Sequence, residues 1–145
     1  MAGQVITTSL SNVKHLKADE YWLITRAGKD IVGLERHLGL APSPELFNRY
    51  WNHWRGTDPA SWWPSYTELF NAELQTEEKL SELRALYRLV QAGKTIALVC
   101  YCGSPDHCHR RLVGEFLSRY GVEVNEAQSP PREIQLGFDL SDVGK

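Results

Sequence analysis

"KTIALVCY", Lys94–Tyr101, decides how the rest of this chain is read. No charge follows Lys94, and the run is too short for a helix. An apolar run of this kind is the mark of a strand buried on both faces, as in the centre of a parallel sheet. On its N-terminal side, "TEEKLSELRALYRLVQAG" (76–93) begins with Thr76 as N-cap and acidic residues in the first turn. Leu80, Leu83, Leu86, Tyr87 and Val90 then recur at helical spacing until Gly93 stops the helix. On its C-terminal side comes the turn "CGSPD". Leu112, Val113, Phe116 and Leu117 form a second helix ending at Tyr120–Gly121, and "VEV" (122–124) reads as a last strand. Strand, helix and strand in that order make a right-handed βαβ unit.

Two earlier runs add strands: "QVITTS" (4–9), which ends in a loop, and "YWLIT" (21–25), closed by "RAGK". Between residues 33 and 72 the chain is aromatic and broken by prolines. Ser43-Pro44-Glu45 looks like a helix start there, and Asp58-Pro59 like another such start or a turn. The expected fold is an α/β, three-layer Rossmann-like domain with a mainly parallel sheet and an aromatic-rich helical middle segment. It occupies residues 1–126, and 127–145 form an irregular tail. Ligands of such sheets bind at the carboxyl ends of the strands. That rule gathers "TTSLS", "TRAGK" and "CYCGSPDHCHRR".

The bulk properties narrow the classes. With 145 residues, 42% of them hydrophobic and 23% charged, the chain suits one globular domain. A net charge of -2 gives no general pull towards nucleic acid or anionic membrane. No apolar run reaches the roughly 20 residues of a membrane span. "MAGQVITTSL" lacks a secretory pattern, and three cysteines make an unpromising disulfide framework. A cytoplasmic location is expected, and no oligomeric state follows.

"CYCGSPDHCHRR" (100–111) holds every cysteine of the chain. The spacing C-x-C-x5-C-H is not the paired C-x2-C of zinc knuckles, so no metal is expected, and no cofactor either. The phosphatase loop, with arginine six positions after its cysteine, is also excluded, because position 108 is a cysteine and position 114 a glycine. A helix opened by Pro105-Asp106 would put Cys108 at its positive end, lowering the thiol pKa. Arg110 could then clamp an anion. Cys108 as nucleophile, His109 or His107 as acid/base and Arg110 as clamp form the catalytic reading, with Ser9 or Tyr66 as an alternative proton partner. The plainer reading keeps Cys100 as core and Cys-His-Arg as a structural lock. The tryptophans of "YWNHWRGTDPASWWPSYTELF" could wall a base or sugar, but packing of an irregular helical segment is the favoured explanation.

"IALVCYCGSPDHCHRRLVGEFLSRYGVEVNE" resembles the C-terminal signature of the DUF488 domain family, an apolar strand ending in Cys followed by Cys-His-Arg. Cys100, Cys108, His109 and Arg110 match it. "TTSLSNVKHL" is similar to the family's Thr-Ser segment through Thr8 and Ser9, "LITRAG" matches through Arg26, and Pro42, Tyr50 and Tyr66 fall in register. The pattern departs at Cys102, where members carry Glu or another residue, so the resemblance implies no role for it. It implies a compact α/β domain and no particular reaction. Thr8, Ser9, Arg26, Cys100, Cys108, His109 and Arg110 are expected to converge, with Thr8, Ser9, Arg26, Cys100 and Tyr66 touching the ligand. That ligand would be a small anion of nucleotide or phosphosugar type, bound or processed by a cysteine-dependent hydrolase or transferase. The alternative is a non-catalytic module for nucleic acid or protein.

Overall fold

The computed structural model of the chain describes residues 2–102 and 104–127; the rest of the expected tail lies outside them. Five strands form one sheet: β1 (Gln4–Ser9), β2 (Glu20–Leu23), β3 (Glu35–Arg36), β4 (Thr95–Cys100) and β5 (Val124–Glu126). Their order is β3-β2-β4-β1-β5, with every neighbouring pair parallel. The apolar run is therefore the central strand, as its composition predicts. Ile96, Leu98 and Cys100 face one side, Ala97 and Val99 the other, and all five are fully buried.

Handedness sets which side each connection takes. The chain steps one way along the sheet from β1 to β2 to β3, and the other way from β3 to β4 to β5. Right-handed crossovers must place these two sets on opposite faces. One face accordingly carries the four α-helices found among the described residues: α1 (Pro44–Arg49), α2 (Trp63–Glu73), α3 (Glu77–Gln91) and α4 (His109–Arg119). The other is covered by a 3-10 helix, Leu10–His15, whose Leu10 and Val13 pack with Leu16, Ile31 and Leu34 on Leu23, Ala97 and Val99. The "SLSN" segment expected as a loop thus forms that second layer.

Some boundaries differ from the sequence reading. β2 begins and ends earlier than 21–25, although the Ile24 N–H still donates to the Val99 carbonyl at 3.0 Å. β5 begins where "VEV" ends, because residues 122 and 123 are spent leaving α4. Thr76 is the N-cap of α3, but its hydroxyl donates back to the Glu73 carbonyl at 2.8 Å and caps nothing ahead. α3 buries Leu83, Leu86, Val90 and also Lys79, while Tyr87 stays exposed. Ser43 caps α1 as expected, its Oγ accepting from the Leu46 N–H at 3.1 Å. α1 runs on into a π-helical turn, Tyr50–Trp54. Among the described residues no helix is long and apolar enough to cross a membrane.

Candidate functional site

The chain leaves β2 towards β3 and leaves β4 towards β5, in opposite directions. Between two such neighbours the loops diverge and a crevice opens at the strand ends. A cavity of about 280 Å³ lies at this point. Its floor comes from Thr25, Arg26 and Ala27 after β2, from Cys100 at the end of β4, and from Tyr101 and Cys102 after it. Phe47, Tyr50, Trp51, Trp62 and Tyr66 wall it from the helical middle, and His107, Cys108 and His109 close the remaining side.

The wall is a packed aromatic cluster. Trp62 stacks on Trp54 at 5.9 Å and meets Tyr50 edge-on at 5.2 Å. Trp62 is only 4% exposed, and its Nε1–H has no acceptor among the described residues. Burial first, and then the neighbouring cysteines, pushes the Tyr66 phenol well up, so it stays neutral. On the floor, Arg26 Nε donates to the Pro42 carbonyl at 2.7 Å. Gly28, at φ 98°, lets this loop pass under Tyr101, where a Cβ would lie 2.1 Å from the phenol oxygen.

Three sulfurs meet at one side. The strand end carries Cys100, the loop returns Cys102, and Cys108 is the N-cap of α4. Their Sγ atoms all lie within 4.8 Å of one another, with Cys100 and Cys108 2.9 Å apart. Cys108 stands one position before the helix expected to hold it in its first turn, and its thiol caps nothing. Hydrogen bonds from Cys100 and Cys102, then burial, push that thiol up. The lowered thiol expected from the helix start is found instead at exposed Cys102, favoured first by hydrogen bonds from Cys100 and Cys108.

Arg110 is not open to a ligand. It is fully buried, and a two-pronged pair (Nε–Oε1 3.1 Å, Nη2–Oε2 2.7 Å) joins it to Glu126 on β5. Nη1 donates to Cys100 Sγ at 2.9 Å and to the Cys102 carbonyl at 2.7 Å. Burial alone would lower its pKa, but the Glu126 hydrogen bond and the Cys100 sulfur raise it. His109 is buried too, with Nε2 2.6 Å from the Ile24 carbonyl. Burial lowers its pKa. A carbonyl only accepts, so the neutral ring carries its proton on Nε2, leaving Nδ1 bare 4.0 Å from Cys108 Sγ.

The cavity therefore gathers Arg26, Tyr66, Cys100, Cys108 and His109 of the expected residues, and not Thr8, Ser9 or Arg110. Pleating explains Thr8. It is in register with Val99, on the face away from the cavity, where its Oγ1 donates to the Ala127 carbonyl at 3.3 Å. Ser9 pairs with Ser11 at 2.9 Å as the chain turns into the 3-10 layer. Two residues escape the sequence reading. Glu126 gives no signal, since only the fold brings it to Arg110. Trp62 has one, the tryptophan-rich run, but composition does not say which indole reaches the sheet.

No curated protein matches the chain. A family model described as the active DUF488-N3 subclade matches residues 9–121, which take in β2, β4, all four helices and the whole Cys-His-Arg loop, and on that match the chain belongs to the DUF488-N3a family.

Proposed function

We propose that the cavity binds a small anionic molecule of nucleotide or phosphosugar type and supports a cysteine-dependent hydrolysis or transfer upon it. The observation that carries this reading is the combination, in one cavity, of an aromatic wall and the Arg26 guanidinium. Guanidinium suits phosphate or carboxylate, and aromatic faces suit a base. A volume of about 280 Å³ fits a ring rather than a long chain. The family's description as active supports a reaction beyond binding. Cys-His-Arg contributes partly as a lock: Arg110 and His109 tie α4 to β5 and to the end of β2.

Calorimetric titration with nucleoside mono- and diphosphates, beside the uncharged nucleosides, tests this. Binding of the phosphates is expected to weaken tenfold or more in Arg26→Ala, which is about 1.4 kcal/mol. Equal, millimolar-weak response to every compound would remove the reading.

One observation favours a second reading, binding of single-stranded nucleic acid. Half-exposed Trp51 lies under Arg55 at 3.9 Å, and Arg49 lies over Trp54 at 5.2 Å. Such basic-aromatic surfaces stack bases. Tight oligonucleotide binding that falls steeply with salt and is lost in Arg55→Ala, a residue outside the cavity lining, would favour this surface over the cavity.

A further inference from the structure

The three cysteines are all free thiols, and all three line the cavity. Their spacing in sequence gives no metal signature, because C-x-C on one strand would need the strand to continue through Cys102. The strand instead stops at Cys100, and the loop carries Cys102 back towards it. A helix cap then supplies the third sulfur from eight residues on. Zinc at about 2.3 Å from each of its thiolates spreads the sulfurs to about 3.8 Å, which falls within the 4.8 Å that the three span here.

We propose that Cys100, Cys102 and Cys108 bind one zinc ion beside the ligand cavity, with the fourth coordination position open to the cavity. The thiol protons that the three cysteines still hold pass to solvent as the ion binds. Among the described residues no histidine, aspartate or glutamate completes the group. The neighbouring His109 keeps Nε2 on the Ile24 carbonyl, which fixes its ring. Three protein ligands and one exchangeable position are the pattern of a zinc that takes part in chemistry, whereas a structural zinc has four. Thiolate sulfur also selects against magnesium and calcium.

The surroundings fit the charge. Zinc with three thiolates carries one net negative charge, and the buried Arg110 guanidinium touches Cys100 Sγ at 2.9 Å. The same nitrogen holds the Cys102 carbonyl, so Arg110 also fixes the loop that presents the exposed sulfur. Outer partners of this kind orient ligands and tune a metal site. The inference rests on the proposed ligand cavity and gives it a Lewis acid beside the Arg26 guanidinium, the cysteines then acting through the metal they hold and not as free nucleophiles. Metal uptake itself does not depend on any organic ligand.

Protein purified under reducing conditions without chelator should hold one zinc per chain through dialysis. After the metal is removed, cobalt(II) titration should give a thiolate-to-cobalt charge-transfer band and the visible bands of a tetrahedral ion. Cys102→Ser, which alters an exposed side chain, should fold as the parent does and reduce the charge-transfer intensity. It should weaken zinc binding by at least the roughly 10–100-fold seen when an outer partner alone is lost. Arg26→Ala should bind zinc as the parent does, so failure of the anion site and failure of the metal site are read separately. Zinc lost on dialysis together with a pale, octahedral cobalt spectrum would overturn the proposal. So would uptake unchanged in Cys102→Ser.

Discussion

Arg110 carries the difference between what a residue type suggests and what a fold does with it. An arginine after Cys-His reads as an anion clamp, yet here the anion is Glu126, sixteen positions away. Thr7 Oγ1 adds a third contact by donating to Glu126 Oε1 at 2.6 Å. Removing one partner of a buried pair strands the other, so Arg110→Met should cost about 3 kcal/mol or more in urea denaturation. Arg110→Lys should recover little, since one ammonium cannot span Glu126, Cys100 and the Cys102 carbonyl together. Lys79 gives a pH prediction. Its Nζ donates to the Ala41 and Gly39 carbonyls, and burial lowers its pKa from 10.5, with Glu73 and Glu78 opposing and Arg26 adding to the shift. The unfolded chain then binds more protons in the window between that lowered value and 10.5, so stability rises with pH there. Lys79→Met should abolish the rise, as denaturant midpoints taken across the window will show. Neither Glu126 nor the carbonyls around Lys79 can be found from local pattern, because each partner arrives by a separate stretch of chain.

Elements were legible wherever one face decides the pattern. β4 shows itself as an unbroken apolar run, α1 by Ser43-Pro44, and α3 and α4 by their apolar spacing. The helical middle is harder because it is aromatic on several sides at once. α2 starts at Trp63-Pro64 with no side-chain cap, and β3 is two residues long with no pattern of its own. The π-helical turn Tyr50–Trp54 is equally silent in sequence, yet it sets Tyr50 and Trp51 on the cavity wall. Buried Gly114 of α4 lies against the sheet, where a Cβ would stand 3.1 Å from Val124 Cγ1 and 3.7 Å from Thr7 Cγ2. Gly114→Leu gains helix propensity of about 1 kcal/mol, but must push α4 off β1 and β5. Overpacking of this kind should leave a net loss of about 1–3 kcal/mol, measured as a lower denaturant midpoint.

At the scale of the molecule, the parallel sheet, its central strand and the site at the strand ends all follow from the order of elements. The lopsided layering follows as well, once β1 to β3 and β3 to β5 step in opposite directions. What the order alone leaves open is which strand ends flank the crevice; that needs the sheet order, and it is why the "TTSLS" loop falls outside the cavity. The same order has a consequence for how the protein is made. β1 ladders only with β4 and β5, so Gln4 finds its register partner at Thr95 and Val5 its other partner at Val124. At about 5–20 residues per second, a ribosome leaves that first strand waiting roughly 5–20 s for the nearer of the two. Throughout that interval "VITT", four β-branched residues in succession, emerges with open edges and nothing of its own chain to pair with. Stalled nascent chains ending before Thr95 should be cut readily by protease, whereas chains whose Glu126 has cleared the exit tunnel should resist.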